Sequence, residues 1–422
     1  MNPRIIVLSF IFISIQHSNS LRINLSNDDK RHAIRAVSNS INQFSSEFYE
    51  ALSNEVGDNF ICSPLSAAMV LMMASYGARG KTADEMTAAL HSDNENNVQK
   101  NGINYLIDNF NAIKKAQVKL ANKIFVAKGM AIKPEFRNIT ESTFRSAAES
   151  LDFMKADAAS QTINSWCEEQ TNSRIKNVVQ PGDLNADTAL VLVNAVYFKG
   201  KWADKFVVND TQPRTFNLDD VRTKTVPMMH RLGNYRYGLL PDLSARFIEI
   251  PYESTDENDS LSMIIILPNE VTGLRSIEEG IDKIKFERLL SGEQYEIDLF
   301  IPKFKIESKI DLKNSLNKLG MKQMFEDSAN FTGIVDSPAL KVSKIVQKAF
   351  IEVNEEGSEA AAATVFDLQN RLGFSENSLK RAHFHVDRPF VLQIVSEHTV
   401  IFSGHIKDIN IDNLNQPAVK NN

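Results

Sequence analysis

Cysteine is almost absent from this sequence, with Cys62 and Cys167 the only two in 422 residues. A chain of this length with at most one bridge is no disulfide scaffold, so a hydrophobic core has to stabilise it. Both cysteines lie in apolar-periodic segments that predict helices. We therefore expect two reduced, buried thiols.

An excess of positive charge is also missing, because 47 Lys and Arg face 53 Asp and Glu and leave a net charge of −6. The chain as a whole has no electrostatic reason to bind nucleic acid or anionic lipid. Basic residues do gather in one stretch. A solvated surface is the favoured interpretation and a glycosaminoglycan site the alternative. The residues are Lys114, Lys115, Lys119, Lys123 and Lys128.

Long hydrophobic runs are lacking except at the N-terminus. Residues 1–20 combine Arg4, a mostly apolar run over 5–15 and small residues ahead of Leu21, which is typical of a cleavable secretory signal. The run is shorter than the ~20 residues that span a bilayer. We expect a secreted protein without a membrane segment, whose Asn-x-Ser/Thr triplets are candidate glycosylation sites. The triplets begin at Asn24, Asn138, Asn209, Asn258 and Asn330.

Motifs of the common catalytic classes are missing too: there is no Gly-x-Ser-x-Gly, Gly-x-Gly-x-x-Gly or His-Glu-x-x-His. Residues 80–82 match the end of a phosphate-binding loop, but Ser75 stands where its first glycine belongs. His383 and His385 would share one face of a strand and could hold a metal. Since no third ligand is evident nearby, an exposed polar face is favoured. We expect neither an enzyme nor a bound metal.

Hydrophobic periodicity predicts an α+β protein. Apolar spacing indicates a helix from Ile34 to near Gly57 and a buried helix over 65–74, opened by Ser63 and Pro64. Strand-like runs cover 190–198, 263–267, 295–301, 342–353 and 390–395. No repeat or linker divides the chain, so we expect one domain over 21–422 after a signal peptide over 1–20.

The stretch from Glu355 to Val386 is long, mostly polar and irregular. A loop of this length in a compact domain is usually functional or disordered. Taken on intrinsic propensity alone, its alanine run at 360–363 predicts a helix.

Four separate segments follow one another along the chain: FICSPLS at 60–66, NAVYFKGKW at 194–202, DRPF at 387–390 and FSGHI at 402–406. In sequence and in order they resemble the serpins, a superfamily of serine protease inhibitors. The most specific match is to the hinge of inhibitory members: Glu355, Glu356, Gly357, Ser358, Glu359, Ala360, Ala361, Ala362, Ala363 and Thr364. The resemblance implies three β-sheets, about nine helices and an exposed reactive-centre loop over about 355–386.

The resemblance also implies a mechanism. A target protease attacks the loop and forms an acyl-enzyme, and the freed loop inserts as an extra strand into the central sheet. Small side chains in the hinge lower the barrier to insertion, and Gly357 gives the pivot its backbone freedom. The implied role is a secreted, irreversible inhibitor that acts as a monomer and needs no cofactor.

The family spacing from the hinge glycine places the reactive bond between Arg371 and Leu372. An arginine there would pair with the acidic floor of a trypsin-like specificity pocket. Because the segment before Pro389 is longer than usual, Phe374, Lys380 and Arg381 are rival cleavage sites. Cleavage after Lys380 would leave more residues between the inserted strand and the bound protease, a tether longer by about 30 Å at ~3.3 Å per residue. Such a slack tether would not distort the protease, so the chain would act as a substrate.

One departure from the family pattern lies at Gln347, where many relatives carry a histidine. We expect a polar cluster of Ser63, Ser66, Asn194 and Gln347 beneath the opening sheet, without a charge that changes near pH 6.5.

Two alternative functions remain open. The chain could be a non-inhibitory serpin that carries a ligand or acts as a chaperone, or it could be a plain protease substrate.

Overall fold

The structure is a computed structural model that describes residues 27–93, 97–256, 259–336, 340–358 and 379–411. Several sequence predictions lie outside these residues: the signal peptide, the hinge beyond Ser358, the reactive bond, Phe374, and the sequons at Asn24 and Asn258.

Nine α-helices lie in the described part of the chain, as expected. They are α1 Asn27–Ser53, α2 Pro64–Ser75, α3 Gly80–Ala89, α4 Asn97–Ala112, α5 Pro134–Phe144, α6 Ala156–Gln170, α7 Leu274–Glu278, α8 Phe286–Leu290 and α9 Lys313–Lys318. None of them has the length and apolarity that a membrane span requires.

The same residues form fifteen strands. They are β1 Phe60–Cys62, β2 Gln117–Ala127, β3 Glu149–Leu151, β4 Leu190–Lys201, β5 Gln212–Asn217, β6 Thr223–Leu240, β7 Ala245–Pro251, β8 Leu261–Pro268, β9 Glu293–Pro302, β10 Phe304–Asp311, β11 Val342–Asn354, β12 Gly357–Ser358, β13 Arg381–His385, β14 Phe390–Ser396 and β15 Val400–Ile406. The α+β class is thus confirmed.

The strands form two hydrogen-bonded sheets where three were expected. The central sheet has the order β10-β11-β12-β4-β2-β3, and the other runs β1-β15-β14-β8-β7-β6-β9-β13 with β5 paired to β6. The difference arises in β6, which is 18 residues long. Arg236 and Tyr237 of β6 pair with β7 on one side and β9 on the other, so two of the expected sheets are continuous.

The core explains why β4 is apolar at nearly every position over 190–198. Its side chains alternate between the main core, with Leu192 and Phe198, and a second cluster that includes Val193, Tyr197 and residues of α6. A strand buried on both faces needs apolar residues at nearly every position. Asn194 is the polar exception, and it is fully buried.

The two cysteines are free and buried, as expected, but only Cys167 lies in a helix. Cys62 ends the short strand β1, whose partner is β15, so the helix prediction there is wrong. The thiol of Cys62 donates to the carbonyl of Ser403 at 3.2 Å. Burial raises the pKa of Cys167 to about 12 and that of Cys62 further, so both thiols are inert at neutral pH.

Candidate site of loop insertion

The centre of the central sheet is a parallel pair, β4 and β11. The pairing runs from Leu190 opposite Val342 to Tyr197 opposite Phe350. Past these residues the two strands no longer pair directly, because β12 lies between them. The sheet is therefore already parted at one end.

The residues that part the strands are the hinge residues Gly357 and Ser358. Ser358 pairs with Val353 of β11 and with Gly200 of β4, antiparallel to both. The hinge thus enters the sheet at the point where the central pair ends.

Gly357 is the one residue type that fits its position. Its φ of +148° is outside the range that side chains favour, and an added Cβ would meet the carbonyl oxygen of Gly200 and the Cα of Lys201 well inside contact distance. Close packing between two strands therefore requires glycine at this position. This reason adds to the backbone freedom that the sequence predicts for the hinge.

Ser358 is fully buried, and its hydroxyl lies 2.7 Å from that of Tyr252. Burial raises the pKa of Tyr252 well above its usual range, so the phenol stays neutral. Trp202 stacks on Tyr252 with ring centroids 4.7 Å apart and donates from Nε1 to the carbonyl of Asn354 at 2.8 Å. These contacts hold Ser358 and the end of β11 in place.

The first two glutamates of the hinge are anchored by ion pairs. Glu355 lies 2.9 Å from the ammonium of Lys303 and accepts from the hydroxyl of Thr211 at 2.8 Å. Burial alone would raise the pKa of Glu355, but the contacts with Lys303 outweigh it and the pKa is lowered. Glu356 pairs with Lys205 at 2.7 Å.

The four residues expected beneath the opening sheet lie in one hydrogen-bonded cluster. Gln347 accepts from the backbone of Ser63 at 2.8 Å and donates to Asn194 at 2.6 Å. Asn194 donates to the hydroxyl of Ser66 at 2.6 Å and to Asn122. Every member is neutral, so the cluster contains no titrating charge.

Asn122 also belongs to this cluster and was not predicted from the sequence. It lies on β2 opposite Asn194, which in turn lies opposite Gln347, so the three amides form one row across three strands. The signal was present, because Asn122 interrupts an alternating series of apolar residues on β2 that would otherwise face the core.

The far end of the reactive-loop region is strand β13, which pairs in parallel with β9. Two rival cleavage residues are held there. Lys380 pairs with Glu293 at 2.8 Å, and its carbonyl accepts from the backbone of Glu296 at 3.0 Å. Arg381 pairs with the side chain of Glu296 and begins the ladder.

The histidines of β13 share one face, as expected, and Asp298 of β9 lies beside them. His383 is 3.2 Å and His385 is 3.8 Å from this carboxylate. Burial alone would raise the pKa of Asp298, but hydrogen bonds from His230 and His383 outweigh it and lower the pKa. Burial lowers the pKa of His385.

The basic residues do not form one free patch. Lys123 pairs with Glu149 at 2.6 Å, and Lys128 lies 3.8 Å from Asp152. The other three are exposed: Lys114, Lys115 and Lys119.

Three of the sequons are described. Asn138 and Asn209 are exposed, whereas Asn330 is half-buried. The Asn330 side chain accepts a hydrogen bond from the hydroxyl of Thr332, the last residue of its own sequon.

Comparison with known proteins extends these observations. The family model "Serpin (serine protease inhibitor)" matches residues 39–409. Ipis-1 of Ixodes persulcatus is 36% identical over 89% of this chain and 99% of its own length, and Alaserpin of Manduca sexta is 37% identical over 86% and 92%. The crystal structure of Serpin48 of Tenebrio molitor superposes with a TM-score of 0.80 and 32% identity over 89% of this chain and 98% of its own.

A parted central sheet with a hinge residue docked in it, together with these matches, defines the class. The chain belongs to the serpin family of serine protease inhibitors.

Proposed function

We propose that this serpin irreversibly inhibits trypsin-like serine proteases through cleavage after Arg371. The catalytic serine of the protease attacks the carbonyl of Arg371, Leu372 leaves as a new amine, and the acylated loop inserts between β11 and β4. The observation that carries the proposal is strand β12, which already occupies the first two positions of that path.

The pairing of β12 predicts where the rest of the loop would lie. Ser358 opposes Gly200 in antiparallel register, so each further loop residue would meet the preceding residue of β4. Thr364 would then oppose Asn194, and Leu368 would oppose Leu190 at the start of the strand. The stretch of β4 that is available for pairing is thus about as long as the part of the loop that precedes Arg371.

The side-chain pattern of the loop fits the same register. In a strand, every second residue after the buried Ser358 would face the main core, as Ser358 does. All of these residues are small or apolar apart from one threonine. They are Ala360, Ala362, Thr364, Phe366 and Leu368. The charged residues Glu359 and Asp367 have the other parity, and Glu359 would oppose Lys199.

The amide row would change during insertion. Gln347 now donates directly to Asn194. A strand between them would separate these two amides and bring Thr364 to their level. Its hydroxyl both donates and accepts, so it can replace the lost partner on either side.

The energetics also favour insertion. One parallel ladder between β4 and β11 would be replaced by two antiparallel ladders, and antiparallel pairing is slightly more stable per residue. About ten new ladder hydrogen bonds at ~1 kcal/mol net each would outweigh the ordering of the strand if the loop is strained before cleavage.

The backbone pairing at β13 disfavours Lys380 and Arg381, the two basic rivals of Arg371. A protease needs an extended, accessible segment on both sides of the bond that it cleaves. Lys380 and Arg381 are held by ion pairs and lie at the start of a strand ladder.

The test is to incubate the purified protein with trypsin, search for an adduct that survives denaturation, and sequence the released C-terminal fragment. We expect an adduct and a fragment that begins at Leu372. Arg371→Ala should lower the inhibition rate by about 100-fold or more, because the specificity pocket loses its cation.

The matched control is Arg381→Ala, which should inhibit as the wild type does. An undiminished adduct in Arg371→Ala would move the reactive bond elsewhere. Cleavage of the wild type without an adduct would instead favour a non-inhibitory serpin or a substrate.

The proposal includes secretion, glycosylation at exposed sequons and no required cofactor. The exposed positions of Asn138 and Asn209 support glycosylation there. The exposed cations at Lys114, Lys115 and Lys119 are the candidate contacts for a glycosaminoglycan that accelerates inhibition.

A further inference from the structure

A cluster of metal-ligating side chains lies on the outer face of β13 and β9, away from the insertion site. His383 and His385 project from β13, and Asp298 lies opposite His383 in the parallel register. One ligand atom from each residue lies within 4.8 Å of the others.

The spacing is close to that of a metal site. Zinc binds nitrogen and oxygen at about 2.0–2.1 Å in a tetrahedron, which sets neighbouring ligand atoms about 3.3 Å apart. The carboxylate oxygen Oδ2 of Asp298 is 3.2 Å from Nδ1 of His383 and 3.8 Å from Nε2 of His385. Small rotations of the histidine rings would therefore close the site.

One atom of the cluster is without a normal partner. Nε2 of His385 is buried and makes no hydrogen bond, although it faces Asp298. A buried ring nitrogen without a donor or acceptor is unfavourable in a folded protein. A metal ion at this point would bind its lone pair.

The carboxylate of Asp298 has a further contact that fixes its orientation. Its other oxygen, Oδ1, lies 2.7 Å from Nε2 of His230 on β6, and the His230 ring stacks on Phe300 at 4.3 Å. A ligand carboxylate held by a further hydrogen bond is a usual feature of metal sites. His230 would thus act as a positioning residue for Asp298.

We propose that Asp298, His383 and His385 bind one divalent transition-metal ion, zinc by preference, which ties β13 to β9. Two imidazoles and one carboxylate suit zinc, copper or nickel better than magnesium or calcium, which prefer oxygen ligands alone. His383 is 76% exposed at its side chain, so the fourth position is open to water. One nearby cation, Arg214, lies 4.1 Å above the Phe300 ring and opposes binding.

The expected consequence is a firmer anchor for the far end of the reactive-loop region, since β13 is the strand at that end. A metal bridge between two strands must break before the strands separate. This inference does not depend on the inhibitory mechanism, because the site and its metal can be measured without a protease.

The test is a titration of the chelator-stripped full chain with zinc by calorimetry. We expect one zinc per chain, with no competition from excess magnesium, and slower amide exchange in β13 when zinc is bound. Asp298→Asn and His385→Asn should each weaken binding by roughly 100-fold or more. Cobalt should give the visible absorption of a tetrahedral ion in the wild type and in neither of these two variants.

The matched control is His91→Asn. His91 also pairs with a carboxylate, Glu47 at 3.1 Å, and its positive φ of 49° is one that asparagine tolerates. This variant should bind zinc as the wild type does. Wild-type zinc affinity in Asp298→Asn, or an equal loss in His91→Asn, would overturn the proposal. The metal-free variants should unfold at the wild-type temperature, which separates lost ligation from misfolding.

Discussion

At the scale of single residues, the buried pair Glu278 and His405 is the clearest determinant of pH-dependent stability. The two side chains are almost fully buried and approach to 2.8 Å. The other ring nitrogen of His405 lies 2.9 Å from the carbonyl of Asp58, so each ring nitrogen faces an oxygen. Lys407 approaches the same carboxylate to 3.4 Å.

The pair predicts a defined pH dependence. Burial alone would raise the pKa of Glu278, but the contacts with His405 and Lys407 outweigh it and lower the pKa. A carboxyl whose pKa is lowered on folding stabilises the protein above its unfolded pKa, near 4.3, and loses that effect as the pH falls through the folded value. Glu278→Gln should therefore lower the free energy of unfolding by about 3 kcal/mol at pH 7, and by less towards pH 3.

Urea denaturation across this pH range measures the effect. The neighbouring Glu279→Gln is the control, because Glu279 is exposed and its pair with Arg275 contributes little. A loss in Glu278→Gln that stays constant with pH would show that packing, and not charge, is responsible.

At the scale of elements, the register of β12 makes the hinge testable one side chain at a time. Ala362 would face the main core beside Val196 if the loop inserts in the proposed register. Ala362→Glu would then place a carboxylate in an apolar layer, at a cost of several kcal/mol. Insertion should slow by roughly 100-fold, so water would release the protease from the acyl-enzyme first. The variant should be cleaved as a substrate.

Glu359→Ala is the control for this prediction. The side chain at position 359 would face the opposite side of the sheet from Ala362. Removal of its charge should therefore leave the number of inhibitor molecules consumed per protease nearly unchanged. Gel analysis of adduct against cleaved chain gives this ratio for both variants. A full yield of adduct in Ala362→Glu would mean that the loop inserts in another register or not at all.

The same elements show which features sequence could predict. The central strands β4 and β11 were predicted because β4 is apolar at nearly every position over 190–198 and most buried positions of β11 are β-branched or aromatic. The short strand β1 was not predicted, because three residues are too few to show a periodic pattern. Cys62 was assigned to a helix instead. Asp298 could not be linked to His383, because parallel pairing across 85 residues leaves no local pattern. The continuity of two sheets depends on one strand of 18 residues, β6, whose length no sequence pattern predicted.

At the scale of the whole molecule, the proposal predicts that the intact chain is not its most stable form. The insertion path between β11 and β4 is open only at β12, so the intact chain lacks the remaining ladder hydrogen bonds. Cleavage after Arg371 would release one end of the loop. Each ladder hydrogen bond would then add ~1 kcal/mol net, and burial of Phe366 and Leu368 about 1.5–3 kcal/mol each.

The loop-cleaved protein should therefore unfold at a markedly higher urea concentration than the intact protein, although one peptide bond has been broken. Ala362→Glu sharpens the comparison, because its cleaved form should gain little if the charge keeps the loop outside the sheet. Urea midpoints of intact and cleaved chains, wild type and variant, give four values for this test. Equal midpoints for the two wild-type forms would mean that the cleaved loop stays outside, since an added central strand has to stabilise the sheet that it completes.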